Sequence, residues 1–283
     1  MNYGQLCRRL SSIYDAGEAK AIVRWVLEVR FGLSTTDVYC GKVTQLSPND
    51  QAELEKIMLR LEKAEPVQYV LGVADFCGRQ FHVAPDVLIP RPETAELCRL
   101  IEKEREICSD CRILDIGTGS GCIAITLSLD IPGSQVTAWD ISDVALSIAE
   151  GNAKALGANV VFEHQDALSP PHPLISSPSH LWNIIVSNPP YICRREADEM
   201  EENVLRYEPD KALFVPDDDP LLFYRHIMNY AQKTLKPDGR LYFEINPVYA
   251  DSIVDALLQS GFSSVAKIVD QFGKTRFIKA VMD

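Results

Sequence analysis

Apolar residues recur at helical spacing along the first quarter of the chain. Between residues 1 and 74 they fall three or four positions apart, which places each set on one face of a helix. Turn-forming residues separate the sets, and Ser47 or Asn49 can cap the helix that begins there. The pattern predicts a small helical bundle with core positions Leu6, Leu10, Ile13, Ile22, Trp25, Val26, Val29, Leu54, Ile57, Met58 and Leu61.

The hydrophobic pattern changes after residue 74. Apolar and polar residues alternate around Gly78 in residues 76–83, which predicts a short β-hairpin. A helix is expected at residues 94–108, and beyond it short apolar strands alternate with amphipathic helices. Strands are predicted at 112–116, 135–139, 160–162, 182–186, 240–245, 265–269 and 276–281, and helices at 120–129, 144–156, 221–235 and 250–260.

Seven strands that alternate with helices predict an α/β, Rossmann-like fold with a mixed, mostly parallel seven-stranded sheet covered on both faces. Ligands of such sheets bind at the carboxyl ends of the strands. We therefore expect three parts, a helical bundle at 1–74, a hairpin linker at 75–90 and an α/β domain at 91–283. Residues 170–178 hold four prolines and no periodicity, so a surface loop is expected there.

Composition is that of a soluble globular protein. The 283 residues are 46% apolar and 24% charged, and no run approaches the roughly 20 apolar residues of a membrane-spanning helix. Charged residues such as Arg8 and Arg9 interrupt the N-terminus, so no secretory signal is expected. The eight cysteines are scattered, and the C-x-x-C pair of Cys108 and Cys111 lacks further metal ligands nearby. We expect reduced thiols, no metal site and a cytoplasmic location, with a redox role for the C-x-x-C pair as the alternative.

The net charge of −12 argues against nucleic acid as the main partner. Binding to nucleic acid gains most of its strength from Lys and Arg in contact with phosphate. The charge is unevenly distributed, because residues 1–75 hold nine Lys or Arg against ten Asp or Glu, whereas residues 76–283 hold nineteen against thirty. The N-terminal part is therefore nearly neutral and offers no basic surface for a nucleic acid.

A glycine-rich loop follows the first predicted strand of the α/β domain. Residues 113–121 place Asp115 two positions before a G-x-G-x-G sequence, at the point where a strand gives way to a helix. Glycines allow positive φ and let a ligand lie against bare backbone. The spacing differs from the G-x-G-x-x-G fingerprint of dinucleotide sites, and the acid suits a ligand with an amine better than one with phosphates. The alternative is a tight turn that requires glycine for its geometry alone.

Two further acids follow the second and third predicted strands. Asp140 can accept both hydroxyl protons of a ribose, and its position 25 residues after Asp115 fits one strand–helix–strand step. Asp166 can accept the exocyclic amine of an adenine while the backbone of Asp166 and Ala167 contacts the ring. The alternatives are that Asp140 caps the next helix and that Asp166 is a solvated loop residue.

Residues 188–191, Asn-Pro-Pro-Tyr, follow the fourth predicted strand and indicate the reaction. An amide or amino-heterocycle nitrogen is a poor nucleophile, because its lone pair is delocalised, and it must be held in position. Asn188 can accept one N–H through its side-chain oxygen and the Pro189 carbonyl can accept the other, so that the nitrogen faces a methyl carbon. Two consecutive prolines hold that carbonyl rigidly, and Tyr191 offers an aromatic wall. Asn-Pro is also a common turn signal, which is the alternative.

Together these motifs resemble the class I S-adenosylmethionine-dependent methyltransferases, and among them the HemK/PrmC family, the glutamine N5-methyltransferases of peptide chain release factors. The more diagnostic segments lie outside the glycine loop, in Glu-Pro-Val-Gln-Tyr-Val-Leu-Gly at 65–72, Val-Leu-Ile-Pro-Arg-Pro-Glu-Thr at 87–94, Asn-Pro-Pro-Tyr at 188–191, Tyr-Glu-Pro at 207–209 and Ala-Leu at 212–213.

The resemblance implies the substrate, the cofactor and the site. The target is the glutamine of the Gly-Gly-Gln motif in class I release factors, and the helical N-terminal domain helps to dock the factor. The resemblance assigns the glutamine amide to Asn188, Pro189, Pro190 and Tyr191, of which Asn188, Pro189 and Tyr191 act in catalysis. S-adenosylmethionine is expected to bind Asp115, Gly117, Thr118, Gly119, Ser120, Gly121, Asp140, Asp166, Ala167 and Asn188.

Two other functions fit part of the pattern. An adenine N6 amino-methyltransferase acting on DNA or RNA would use the same Asn-Pro-Pro-Tyr chemistry on a flipped base, but it needs a basic surface that residues 1–75 lack. A methyltransferase-like binding module without catalysis would not require intact glycine, acid and Asn-Pro-Pro-Tyr motifs. An NAD-dependent dehydrogenase is disfavoured by the glycine spacing. We expect a monomer with no membrane partner.

Overall fold

The computed structural model describes residues 1–103, 110–171 and 182–283. They form two compact units, one of residues 1–73 with 201–207 and the other of residues 74–200 with 208–283. No pattern in the sequence predicted that residues 201–207 group with the N-terminal helices.

The N-terminal unit is a helical bundle, as the spacing of its apolar residues predicted. Asp15 begins the longest helix by accepting hydrogen bonds from the backbone N–H groups of Gly17 and Glu18, and Gly32 ends it at a φ of 65°. The predicted core positions are buried or half-buried with the exception of Ile13, which is exposed because the first helix ends three residues earlier. The helices are α1 (Tyr3–Leu10), α2 (Ala16–Phe31), α3 (Thr35–Tyr39), α4 (Pro48–Leu61) and α5 (Val67–Leu71), together with α9 (Glu202–Tyr207) from later in the chain.

The second unit contains the predicted seven-stranded sheet. Its order is β10-β11-β9-β6-β3-β4-β5; the five strands from β9 to β5 are parallel, and β11 and β10 are antiparallel additions at one edge. The predicted mixed, mostly parallel Rossmann-like sheet is confirmed. The strands are β3 (Arg112–Ile116), β4 (Gln135–Asp140), β5 (Val160–His164), β6 (Trp182–Ser187), β9 (Leu235–Glu244), β10 (Phe262–Val269) and β11 (Thr275–Met282).

Helices cover both faces of the sheet, because consecutive residues of its central strands point to opposite sides. Ile113 of β3 lies in one apolar core and its neighbour Leu114 in the other. The first core includes α6 (Pro92–Glu102), α7 (Cys122–Asp130) and α8 (Asp143–Leu156), and the second includes α11 (Leu222–Thr234) and α12 (Ala250–Gln259).

Several short elements complete the fold. The predicted hairpin is present as β1 (Val73–Phe76) and β2 (Arg79–His82), with its start three residues earlier than the pattern suggested, and Cys77 and Gly78 turn it with positive φ. A parallel pair of short strands, β7 (Ile192–Cys193) and β8 (Phe214–Val215), and the short helix α10 (Asp210–Leu213) were not predicted.

Residues 236–239, which lie between the predicted helix at 221–235 and the predicted strand at 240–245, are part of β9 and interrupt its regular pairing. The pairing of β6 with β9 shifts at this point, and Asp238 has a φ of 62°. Gly239 is required there, because a Cβ on it would lie 2.6 Å from the carbonyl oxygen of Lys236. Three predicted features lie wholly or partly outside the described residues. They are the last part of the helix at 94–108, Cys108 of the C-x-x-C pair and most of the loop at 170–178. No helix in the described ranges is long and apolar enough to cross a membrane.

Candidate active site

The glycine loop joins the carboxyl end of β3 to the start of α7. Its backbone is fixed by the neighbouring strand, since the N–H groups of Gly117 and Thr118 both donate to the Trp139 carbonyl at 2.9 Å. Gly117 and Gly119 have φ of 78° and 55°, and a Cβ on either would meet no atom within 4 Å. Bare backbone at these two positions therefore faces open space, as a bound ligand requires.

Gly121 has a different role from the other two glycines. A Cβ at this position would lie 2.8 Å from Cδ1 of Ile125 and 3.0 Å from Cβ of Ala149. The space that a Cβ of Gly121 would occupy is thus filled by α7 and α8. Its glycine is required for packing as well as for a φ of 82°.

Asp115 lies at the end of β3 and is completely buried. Its Oδ2 accepts hydrogen bonds from the Thr118 hydroxyl at 2.7 Å and from the backbone N–H of Ala124, in the first turn of α7, at 3.2 Å. Burial raises the pKa of Asp115 to about 7, although these two hydrogen bonds oppose the shift. Within the structure, the side chains of Asp115 and Thr118 hold the shape of the loop.

Ser120 is also buried, and its carbonyl accepts a hydrogen bond from the Asn152 side chain at 2.9 Å. Asn152 in turn bonds both backbone groups of His82, at 2.7 Å and 3.0 Å. The loop is therefore fixed from behind by α8, which leaves its Gly117–Gly119 side as the accessible surface.

Asp140 ends β4 and faces the glycine loop. One carboxylate oxygen accepts from the Gly119 N–H at 2.9 Å, and the other accepts from the Ser142 N–H at 2.9 Å. The helix α8 is capped by Ser142 and not by Asp140, so that alternative for Asp140 does not apply. Each carboxylate oxygen keeps a second lone pair, with which Asp140 can accept a ligand hydroxyl.

Asp166 follows β5 at the same edge of the sheet. Its Oδ1 accepts from the Leu168 N–H at 2.8 Å, and its neighbour Gln165 donates its backbone N–H to the Asp140 carbonyl at 3.0 Å. Ala167 is half-buried against the second core. The ends of β4 and β5, which carry Asp140 and lead to Asp166, are thus tied together at one edge of the sheet.

Asn188 follows β6, which is the neighbour of β3 on the side opposite β4. Ser187 anchors this point by donating its hydroxyl to the Ile116 carbonyl at 2.6 Å. The Asn188 side-chain nitrogen donates to the Thr94 hydroxyl oxygen at 3.2 Å. Its side-chain oxygen is therefore the group left to accept a hydrogen bond from a substrate.

Thr94 and Glu244 were not predicted as site residues. Thr94 donates its hydroxyl to Glu244 Oε2 at 2.7 Å, and the Tyr191 hydroxyl donates to Glu244 Oε1 at 3.3 Å. Burial raises the pKa of Glu244 to about 7 against the lowering effects of Thr94, Arg276 and Tyr191. One signal for Glu244 was available in the sequence, an acid between Phe243 and Ile245 in an otherwise apolar strand end.

Two further contacts hold the segment around Tyr191. Asn246 donates to the Tyr191 carbonyl at 3.4 Å and to a carboxylate oxygen of Glu196 at 3.0 Å. The pKa of the Tyr191 phenol is raised, first by burial and then by the charge of Glu244. Tyr191 therefore stays protonated and acts as a hydrogen-bond donor.

The residues at this edge fit S-adenosylmethionine. Carboxylates at Asp140 and Asp166 would repel phosphate, but they suit ribose hydroxyls, an exocyclic amine and a positively charged ligand. The open backbone at Gly117 and Gly119 gives the space for such a ligand to approach.

Comparisons with known proteins agree with the fold. Residues 5–72 match the family model described as the PrmC N-terminal domain, and residues 94–207 match that described as the methyltransferase small domain. A methyltransferase structure from Pyrococcus furiosus shares the fold, with a TM-score of 0.51 and 17% identity over 83% of this chain and 98% of that one.

Curated relatives match almost the full length. A release factor glutamine methyltransferase from Bacteroides thetaiotaomicron is 49% identical over 96% of this chain and 95% of its own. One of the same name from Flavobacterium psychrophilum is 39% identical over 97% and 96%. With a helical N-terminal match, a class I methyltransferase sheet and an Asn-Pro-Pro-Tyr segment at the end of β6, this chain belongs to the HemK/PrmC family of methyltransferases.

Proposed function

We propose that this protein transfers a methyl group from S-adenosylmethionine to the side-chain amide nitrogen, N5, of the glutamine in the Gly-Gly-Gln motif of class I peptide chain release factors. The names of its relatives support the substrate. The observation that supports the chemistry most directly is the orientation of the Asn188 side-chain amide, whose nitrogen donates a hydrogen bond to the Thr94 hydroxyl oxygen. Its oxygen is thereby free to accept from a nitrogen that bears two protons.

A glutamine amide needs placement more than activation. We propose that Asn188 Oδ1 accepts one N–H and that the Pro189 carbonyl accepts the other, which fixes the plane of the amide. Pro190 makes that carbonyl rigid, and the ring of Tyr191 bounds the planar substrate group. The nitrogen becomes acidic as its new bond to carbon forms, so one of its protons can pass to water without a strong base.

The cofactor side of the site has its own residues. S-adenosylmethionine, when bound, supplies a methyl group attached to a positively charged sulfur. The sulfur makes the methyl carbon electrophilic, and it keeps the electron pair of the sulfur–carbon bond when that bond breaks. We assign its ribose to Asp140, its adenine to the Asp166–Ala167 edge and its remaining part to the backbone of the glycine loop. The proposed set is Asp115, Gly117, Thr118, Gly119, Ser120, Gly121, Asp140, Asp166, Ala167 and Asn188, with Asp115, Thr118, Ser120 and Gly121 acting by shaping the loop.

The N-terminal residues suit a docking role. We propose that residues 1–74 dock the release factor, that residues 75–90 form a linking hairpin, and that residues 91–283 perform the transfer. The net charge of −12 favours a protein partner over a nucleic acid. We further propose that the protein acts as a monomer in the cytoplasm.

One experiment tests the proposal directly. Purified protein is incubated with isotopically labelled S-adenosylmethionine and, in separate reactions, with a purified class I release factor and with double-stranded DNA. Mass spectrometry of the digested factor is expected to show one labelled methyl group on the Gly-Gly-Gln glutamine, and the DNA is expected to remain unlabelled. Label on adenine and none on the factor would contradict the proposal and favour an amino-methyltransferase.

A further inference from the structure

We propose that Glu244 is a positioning residue that sets the direction of the Asn188 amide through the hydroxyl of Thr94. The inference rests on the proposed function, because it concerns how the same site receives a glutamine amide. It assigns a role to a buried acid whose carboxylate accepts hydrogen bonds from Thr94 and Tyr191.

The Glu244 carboxylate fixes the direction of the first hydrogen bond. An ionised carboxylate only accepts hydrogen bonds, so a hydroxyl beside it must turn its proton toward it. Thr94 has one hydroxyl proton, and its hydroxyl oxygen is 2.7 Å from Glu244 Oε2, the distance of a strong hydrogen bond between buried groups. The remaining capacity of the Thr94 oxygen is as an acceptor.

The Thr94 hydroxyl in turn determines the orientation of the Asn188 side-chain amide. A side-chain amide presents a donor on one side and an acceptor on the other, and a half-turn exchanges the two. Because Thr94 offers an acceptor, the Asn188 nitrogen faces it at 3.2 Å and the oxygen faces away. The opposite orientation would bring an NH₂ group against the NH₂ of a glutamine, two donors without an acceptor.

The same carboxylate holds the other end of the motif. Its Oε1 accepts from the Tyr191 hydroxyl at 3.3 Å, so Asn188 and Tyr191 both depend on one buried group. Glu244 is itself fixed, since Tyr224 donates its hydroxyl to the Glu244 carbonyl at 3.1 Å and β9 pairs with β6 up to Phe243 and Ser187. A rigid support of this kind is what a substrate-aligning amide needs.

Thr94→Val tests the relay, because valine keeps the shape of threonine and removes the hydroxyl. We expect kcat for release-factor methylation to fall about tenfold, as a hydrogen bond of about 1.4 kcal/mol corresponds to a factor of ten, while the Kd for S-adenosylmethionine stays within twofold. Thr94→Ser, which keeps the hydroxyl, is expected to stay within about threefold of the wild type. The matched control is Thr126→Val, which removes another buried hydroxyl, one with no hydrogen-bond partner among the described residues, and which is expected to leave kcat unchanged.

Glu244→Gln is the second probe. Its amide can donate to Thr94, which then donates to Asn188 and favours the reversed orientation, so kcat is expected to fall at least tenfold with cofactor binding retained. Wild-type kcat in Thr94→Val, or in a folded Glu244→Gln if Thr94→Val does not fold, would overturn the inference. Equal losses in Thr94→Ser and Thr94→Val would also overturn it. Failure of the wild-type protein to methylate the factor would instead overturn the proposed function, so the two failures are distinguishable.

Discussion

The two halves of the proposed site, the cofactor side and the substrate side, are built in different ways. On the cofactor side, carboxylates bond to backbone close by in sequence, as Asp140 does to Ser142 and Asp166 to Leu168, both two residues away. On the substrate side, side chains bond to distant side chains, since Asn188 and Thr94 lie 94 residues apart and Thr94 and Glu244 lie 150 apart. The cofactor half thus combines local hydrogen bonds with bonds between neighbouring strand ends, such as that from Gly119 to Asp140, 21 residues apart, whereas the substrate half joins segments much farther apart in the sequence.

This contrast predicts different responses to mutation. Changes on the cofactor side are expected to alter binding while leaving the alignment of the target nitrogen intact. Changes at substrate-side residues outside the proposed cofactor set, such as Thr94 and Glu244, are expected to alter turnover while leaving cofactor binding intact.

The largest effect is expected for Asn188→Ala. The target nitrogen loses the side-chain oxygen that aligns it, and kcat is expected to fall about a hundredfold or more, the scale seen when one aligning polar group is removed from an active site. Rates of methyl transfer to a purified release factor measure the loss. Near-wild-type turnover would contradict the role of Asn188 and with it the distinction between the two halves.

A smaller effect is expected for Asp140→Ala. Ribose hydroxyls lose a charged acceptor, and the binding free energy of S-adenosylmethionine is expected to weaken by about 1–3 kcal/mol. Calorimetry measures this affinity, and Asp140→Asn, which keeps one acceptor oxygen, serves as the comparison variant. Equal affinity in the wild type and in Asp140→Ala would argue against the ribose assignment.

The pH dependence is expected to separate the halves further. Burial raises the pKa of Glu244 to about 7, the Thr94 and Tyr191 hydrogen bonds and the Arg276 charge lower it, and Glu93 raises it. Below pH 7 the carboxyl gains a proton and becomes a donor, so kcat is expected to fall as pH falls, approaching tenfold per pH unit. Burial also raises the pKa of Asp115 to about 7, so the affinity for S-adenosylmethionine is measured over the same pH range to follow the protonation of Asp115 separately. A kcat that stays constant between pH 8 and pH 6 would contradict the dependence on ionised Glu244.

The smallest effect is expected for Gly119→Ala, which is compared with Gly121→Ala in the same loop. Gly121→Ala introduces a Cβ 2.8 Å from Ile125 and is expected to destabilise the fold by about 1–3 kcal/mol. Gly119→Ala meets open space and is expected to cost only about 1 kcal/mol, for its positive φ, while weakening cofactor binding. Thermal unfolding compares the two variants, and a Gly119→Ala protein less stable than Gly121→Ala would contradict the assignment of Gly121 to packing.

The sequence was informative where the site is local. Alternation of strands and helices predicted the parallel sheet, and the position of Asp140 after its second strand placed it beside the glycine loop, where it accepts from Gly119. Periodicity also predicted the N-terminal bundle, because helical spacing is a local property.

Long-range features were not predictable in the same way. Nothing near Thr94 in sequence indicates that its hydroxyl meets Glu244, because the two come together only when α6 packs on the sheet beside β9. The G-x-G-x-G motif also did not show that the glycines of the loop have different roles. A Cβ on Gly119 would face open space, whereas one on Gly121 would meet Ala149, a residue of the next helix. Such differences depend on packing, which the identity of a single residue does not encode.

The position of β11 has a consequence for how the molecule is made. This strand lies between β9 and β10 although it follows both in the chain. Because β10 pairs with β11 and not with β9, β10 cannot join the sheet until β11 has been synthesised. Until then the outer edge of β9 exposes unpaired backbone groups, which can pair with other chains. Synthesis proceeds from the N-terminus, so the helical bundle can fold early while the sheet waits for residues 275–282. The nascent protein is therefore most vulnerable to aggregation shortly before that final strand emerges.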